Sequence, residues 1–142
     1  MSAIEWLIDK SALARLAGAP DVTEWISRIE RGLVHISTPT LLEIGYSAQG
    51  AADWNDRIAR PPASLLPIVN LPPGSEQRAL EVQAPLVAQG QHRPPSVADL
   101  LIAAIAEAAG LGVLNVDKDF DLIGAVTGQP VQRLGHASGR SP

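Results

Sequence analysis

Residues 94–123 read PPSVADLLIAAIAEAAGLGVLNVDKDFDLI, and the order of patterns along this stretch decides the fold class. Ser96-Val97-Ala98-Asp99 has capping-box spacing, and the residues that follow are apolar nearly all the way round. The spacing therefore predicts a buried helix from Ser96 to about Ala109, closed by Gly110 to Gly112. GVLNV then reads as a buried strand, and DKDFDLIGAVTG as a turn and a short helix. A helix feeding a buried strand that feeds another helix is the unit of a parallel sheet covered on both faces. One residue is out of character: Asp99 puts a carboxylate in the first turn of a helix otherwise suited to burial.

The same alternation extends outward in both directions. Residues 3–8, AIEWLI, read as a short buried strand, and SALARLAG has helical spacing until Gly18-Ala19-Pro20 breaks it. DVTEWISRIERG places Val22, Trp25, Ile26, Ile29 and Leu33 on one face of a surface-lying helix, which Gly32 stops. LVHIS is a second strand, and Thr38-Pro39 supplies a cap and a first-turn proline for the helix TLLEIGYSAQG. Ala51 to Arg60 is a further helix, ended by Pro61-Pro62, and the internal Pro67 of LLPIVNL marks an edge or irregular strand. Pro73 to Gln89 reads as a helix kinked at Pro85, GQHRPP as a loop, and PVQRL as a last strand. The expected class is α/β, a three-layer α/β/α domain over residues 1–134 with a mainly parallel central sheet. The polar, glycine-containing end from 135 to 142 is expected to be mobile.

Composition narrows the chemistry. A chain of 142 residues that is 46% hydrophobic supports one domain with a substantial core. The absence of cysteine excludes disulfides and thiolate catalysis. The apolar run from Val97 to Val116 is interrupted by Asp99, Glu107 and two glycines, which argues against a membrane span. No basic-then-apolar leader follows Met1, so a cytosolic protein is expected. The three histidines, His35, His92 and His136, have no metal-ligand spacing.

The carboxylates carry the functional signal, and each has a plain structural explanation as well. Asp9 can cap the helix beginning near Ser11, Asp99 completes a capping box, and Asp117 or Asp119 can cap the helix around Leu122. Glu43, among Leu41, Leu42 and Ile44, can belong to the solvated stripe of an amphipathic helix. Their combined placement adds a second reading. Asp9 and Asp117 follow strands, Glu43 lies one turn into a helix after a strand, and Asp99 opens a helix that precedes one. Those positions share the ligand-binding edge of an open parallel sheet. Acids converging there repel one another unless a cation joins them, and all-oxygen ligation suits Mg²⁺, with Mn²⁺ as a substitute.

These residues resemble a known family. WLIDKSAL, TPTLLEIGYSA, HRPPSVADLLIAAIAEAAGLGVLNVDKDFDLI and TGQPVQRL, spread over residues 4–134, are similar to PIN-domain ribonucleases, specifically VapC toxins of type II toxin–antitoxin systems. The resemblance implies a Mg²⁺-dependent endoribonuclease acting on structured RNA such as tRNA or rRNA and inhibited by a cognate antitoxin. It further implies a homodimer, which the antitoxin ties to operator DNA. By position, Asp9, Glu43, Asp99 and Asp117 match the family's acidic quartet, Ser11 its buttressing hydroxyl, and Asp119 the adjacent supporting acid. Residues 51–90 match only in general character.

On this reading the quartet holds one or two ions, and water is the attacking group. A net charge of −4 does not oppose an RNA substrate. With the four quartet acids set aside, eleven acids balance eleven Lys and Arg residues. Lys10, Arg93 and Lys118, beside the quartet in sequence, are the expected contacts to RNA phosphates, against the alternative that each is simply solvated. Trp25 or Trp54 is the expected anchor for the antitoxin, against ordinary packing. Two rivals stand beside the nuclease: a metal-dependent phosphatase or phosphotransfer domain, and a catalytically idle binding module. A haloacid-dehalogenase-type phosphatase calls for a second aspartate where Ser11 stands, which weighs against the first.

Overall fold

A computed structural model describes residues 4–135. Among them, five strands form one all-parallel sheet. They are β1 (Trp6–Ile8), β2 (Val34–Ser37), β3 (Ile68–Val69), β4 (Gly112–Asn115) and β5 (Val131–Arg133), in the order β3-β2-β1-β4-β5. The helices are α1 (Lys10–Arg15), α2 (Val22–Glu30), α3 (Thr38–Tyr46), α4 (Ala51–Ala59), α5 (Ser75–Ala88), α6 (Val97–Ala109) and α7 (Asp119–Thr127).

Period-two alternation in the strands sorts the helices into two layers. Leu7 of β1 and Val113 of β4 pack into a cluster with Val82 and Leu86 of α5, Ile105 of α6 and Ile123 of α7. Their neighbours Ile8 and Leu114 face the other way, into a cluster with Ala12 of α1, Trp25 and Ile29 of α2, and Ile44 of α3. Fully burying an aliphatic side chain of this kind contributes about 1.5–3 kcal/mol, so the two faces together dominate stability. The outcome is the expected three-layer α/β/α arrangement.

The chain winds outward from β1 through β2 to β3, then returns to add β4 and β5 on the other side of β1. The gap between the C-terminal ends of β1 and β4 is thus the topological switch point, where open parallel sheets present their binding crevice.

Several local expectations need adjustment. Ser37, not Thr38, caps α3: its Oγ accepts from the Thr40 backbone N–H at 3.2 Å, which leaves Thr38 and Pro39 inside the first turn. Pro67 lies just before the edge strand β3 and not inside it, and α5 continues past Pro85 to Ala88. Trp25 is 1% exposed, edge-on to Trp6 at 5.7 Å, and donates from Nε1 to Asp21 Oδ2 at 3.0 Å. A ring held in the core on all sides cannot anchor a partner, whereas Trp54 on α4, 47% exposed, can. Of the terminal segment expected from 135, only Gly135 is described, and its N–H donates to Asp21 Oδ1 at 2.9 Å. His136 and the rest of that segment lie outside the described residues.

Candidate active site

A single cleft at the switch point is lined by Asp9, Lys10, Ser11, Ala14, Arg15, Glu43, Asp99 and Asp117. Four elements deliver the acids. Asp9 ends β1 and caps α1, Glu43 sits in the second turn of α3, Asp99 is the third residue of α6, and Asp117 follows β4.

The structural and the ligand readings of the aspartates turn out to be compatible, because a carboxylate has two oxygens. Asp9 Oδ1 accepts from the Ala12 N–H at 2.8 Å. Asp99 Oδ2 accepts from the Ser96 N–H at 3.0 Å, while Ser96 Oγ accepts from the Asp99 N–H at 3.0 Å, completing the capping box. Asp117 Oδ1 accepts from the Asp119 N–H at 2.9 Å and holds the turn into α7. In each case one oxygen is tethered to backbone, and the tether alone does not exhaust the carboxylate's capacity to accept.

Asp9 is the most buried of the acids, 5% exposed, and its carboxyl is pushed up to about 7. Desolvation is the main cause, the Ala12 N–H opposes it, and the charges of Asp117, Asp99 and Glu43 add to it. Desolvation also raises Asp99, with the Ser96 hydrogen bonds opposing and Asp117 reinforcing. Glu43 is raised by desolvation and then by Asp99, while Lys10 pulls it back. Asp119, outside the lining, is raised by desolvation and then by Asp117 and Asp99. Burial is the leading cause in all four, and the neighbouring carboxylates add to it.

Among the described residues no three acid or imidazole side chains stand close enough to encage an ion by themselves. The donor set instead fits a hydrated hard cation, which takes one or two carboxylates and keeps several waters or phosphate oxygens. The tethered aspartates fix where such oxygens point.

Of the expected cations, Lys10 lines the cleft and donates from Nζ to Ser47 Oγ at 2.7 Å. Arg93 and Lys118 are exposed on the segments flanking the cleft and are not part of its lining. Ser11, half-buried, is part of it. Two residues escaped the sequence reading. Arg15 lines the cleft, a placement foreshadowed by its four-residue spacing from Ser11 on α1. Asn115, fully buried at the end of β4, donates from Nδ2 to the Gln132 carbonyl at 3.3 Å and leaves Oδ1 without a protein partner. Nothing in GVLNV distinguishes that asparagine from a strand-ending turn former.

The PIN-domain family model matches residues 6–126. The chain belongs to the PIN-domain family. Within it, this PIN domain is 56% identical to Ribonuclease VapC2 of Mycobacterium tuberculosis over 92% of its own length and 93% of the relative's. It is 40% identical to Ribonuclease VapC51 of the same species over the same shares. Relatives of that similarity and coverage place it among the VapC proteins. Its fold matches the DNA-bound VapBC complex of Salmonella typhimurium with a TM-score of 0.71 and 18% identity, over 92% of this chain and 98% of the other. The VapBC2 complex of Rickettsia felis, bound to a promoter DNA fragment, matches at 0.73 with 14% identity over the same shares.

Proposed function

We propose that this PIN domain is the toxin of a type II toxin–antitoxin pair, a Mg²⁺-dependent endoribonuclease that hydrolyses tRNA or rRNA and accepts Mn²⁺ in place of Mg²⁺. The observation that carries the reading is the set of three aspartates, each with one oxygen tied to a backbone N–H, that line one cleft with Glu43. Asp9, Glu43, Asp99 and Asp117 would supply the negative charge that holds a hydrated ion, with Ser11 and Asp119 supporting them.

A divalent ion held there supplies Lewis acidity to the scissile phosphate and to the attacking water. The protein's share is placement. Backbone tethers stop Asp9, Asp99 and Asp117 from rotating, so little ordering remains when the ion and substrate arrive. Lys10 offsets the charge of Glu43. No side-chain nucleophile is required, and in-line attack by water leaves a 5′-phosphate and a 3′-hydroxyl.

The antitoxin is a separate protein, as the VapBC composition of the structural neighbours suggests, and operator DNA is reached only through it. Exposed apolar side chains, among them Leu42 and Tyr46 on α3, Trp54 on α4, Leu80 on α5 and Val97 on α6, supply surface for that partner and for a second copy of this chain. No helix among the described residues is long and apolar enough to cross a membrane.

Total RNA incubated with the purified protein, freed of antitoxin, tests the activity. Cleavage with Mg²⁺ and with Mn²⁺, arrest by EDTA and 5′-phosphorylated products are expected. Intact RNA under saturating Mg²⁺ would overturn the proposal.

A further inference from the structure

Four carboxylates line the cleft that an RNA strand has to enter, so the substrate's phosphates meet like charge everywhere except at an ion and at fixed cationic side chains. Two such side chains are present, Lys10 and Arg15. Lys10 is already engaged: its ammonium donates to Ser47 Oγ at 2.7 Å and offsets Glu43. Arg15 is not. Among the described residues it forms no ion pair, although it shares the cleft with four acids.

Helix geometry explains why. Asp9 caps the start of α1 and Arg15 closes its last turn, six residues later, a separation of about 9 Å along the axis. That spacing separates the two backbones, and the exposed Arg15 side chain has no acidic partner among the described residues. Ser11 and Ala14, both small, leave the helix face between them open to a strand. A planar guanidinium offers paired N–H donors that match two phosphate oxygens, a recognition that an ammonium group does not reproduce.

From this we propose that Arg15 is the cleft's phosphate clamp: it binds the RNA phosphate flanking the scissile one and so fixes which bond is presented to the acids. This rests on the ribonuclease reading above. The competing account makes Arg15 a cation that complements the C-terminal dipole of α1, which would affect stability and not RNA.

Binding of a fluorescent, random-sequence single-stranded RNA, with Ca²⁺ replacing Mg²⁺, separates these accounts when followed against KCl concentration. Arg15→Gln is expected to bind about tenfold more weakly at low salt. Its plot of log affinity against log salt should be shallower by about 0.7, the counterion release of one phosphate contact. Arg15→Lys should keep the salt slope while losing part of the affinity, because charge survives and the paired geometry does not. Arg31→Gln, at the end of α2 beside the start of β2, removes a cation elsewhere and should behave as wild type. In Mg²⁺, the Arg15→Gln defect should fall on KM for total RNA more than on kcat.

Wild-type affinity and slope in Arg15→Gln would overturn the clamp, and a lowered melting temperature with an unchanged slope would return the residue to a helix-end charge. Failure of the wild-type protein to bind or cleave RNA at all would instead overturn the ribonuclease reading.

Discussion

Asp99 shows how one side chain serves two ends. Its Oδ2 completes the cap of α6, and its charge adds a smaller push to Asp9, which burial raises to about 7. The sign of the resulting pH dependence follows directly. A carboxyl near 7 in the folded protein and near 3.8 in the unfolded chain is protonated more in the folded state between those values. Without metal, its contribution to stability is therefore fully present below about pH 4 and is lost as pH rises through 7, on the order of 4 kcal/mol. Glu43, Asp99 and Asp119, all raised, act in the same direction. Denaturant midpoints in EDTA should accordingly fall between pH 5 and pH 8. Asp99→Asn keeps a capping oxygen and removes one repelling charge, so at pH 8 in EDTA it should exceed wild type by roughly 1–2 kcal/mol, the part of the Coulomb term that survives screening. Added Mg²⁺ should raise the wild-type midpoint and the variant's much less. A variant that is less stable in EDTA and gains as much from Mg²⁺ as wild type would leave Asp99 a cap alone.

At the scale of elements, the strands are short and their registration depends on single close approaches. Trp6 and Gly112 are partners across β1 and β4, and a Cβ added at Gly112 would lie 2.5 Å from the Trp6 ring and 3.2 Å from Pro130. The ring is itself packed edge-on to Trp25, which limits how far it can retreat. Gly112→Ala is expected to cost about 1–3 kcal/mol, read as a lower melting temperature. Undiminished stability would mean that Trp6 swings aside freely. This contact was illegible in the sequence, where Gly112 looks like part of a helix stop. Order and type of elements could be read from hydrophobic period and from proline and glycine punctuation, and the quartet from acids at strand ends. Ser37 and Thr38 could not be told apart, since either hydroxyl suits a cap and only the backbone decides which residue leaves the helix. Trp25 looked like a surface anchor because helical spacing locates an apolar stripe without saying what covers it. Arg15 was missed because an arginine closing a short helix is the commonplace choice for its dipole.

For the whole molecule, the exposed apolar side chains on α3, α5 and α6 line two adjoining grooves that share Val97 and Leu101, and association there would place two clefts in one particle. Sedimentation at micromolar concentration should show a homodimer, and a monomer would remove that part of the proposal. The sheet order has one more consequence, and it concerns time. β1 is the first strand made yet the central one, and its partner β4 is synthesised about a hundred residues later. At roughly 5–20 residues per second, Asp9 waits several seconds on the ribosome before Asp117 exists to face it. Loop-closure entropy makes so distant a pairing slow as well. On the proposed function the growing chain is thus inactive by topology: no cleft capable of chemistry can assemble until Asp117 has been made, which leaves an interval for a neutralising partner to be made.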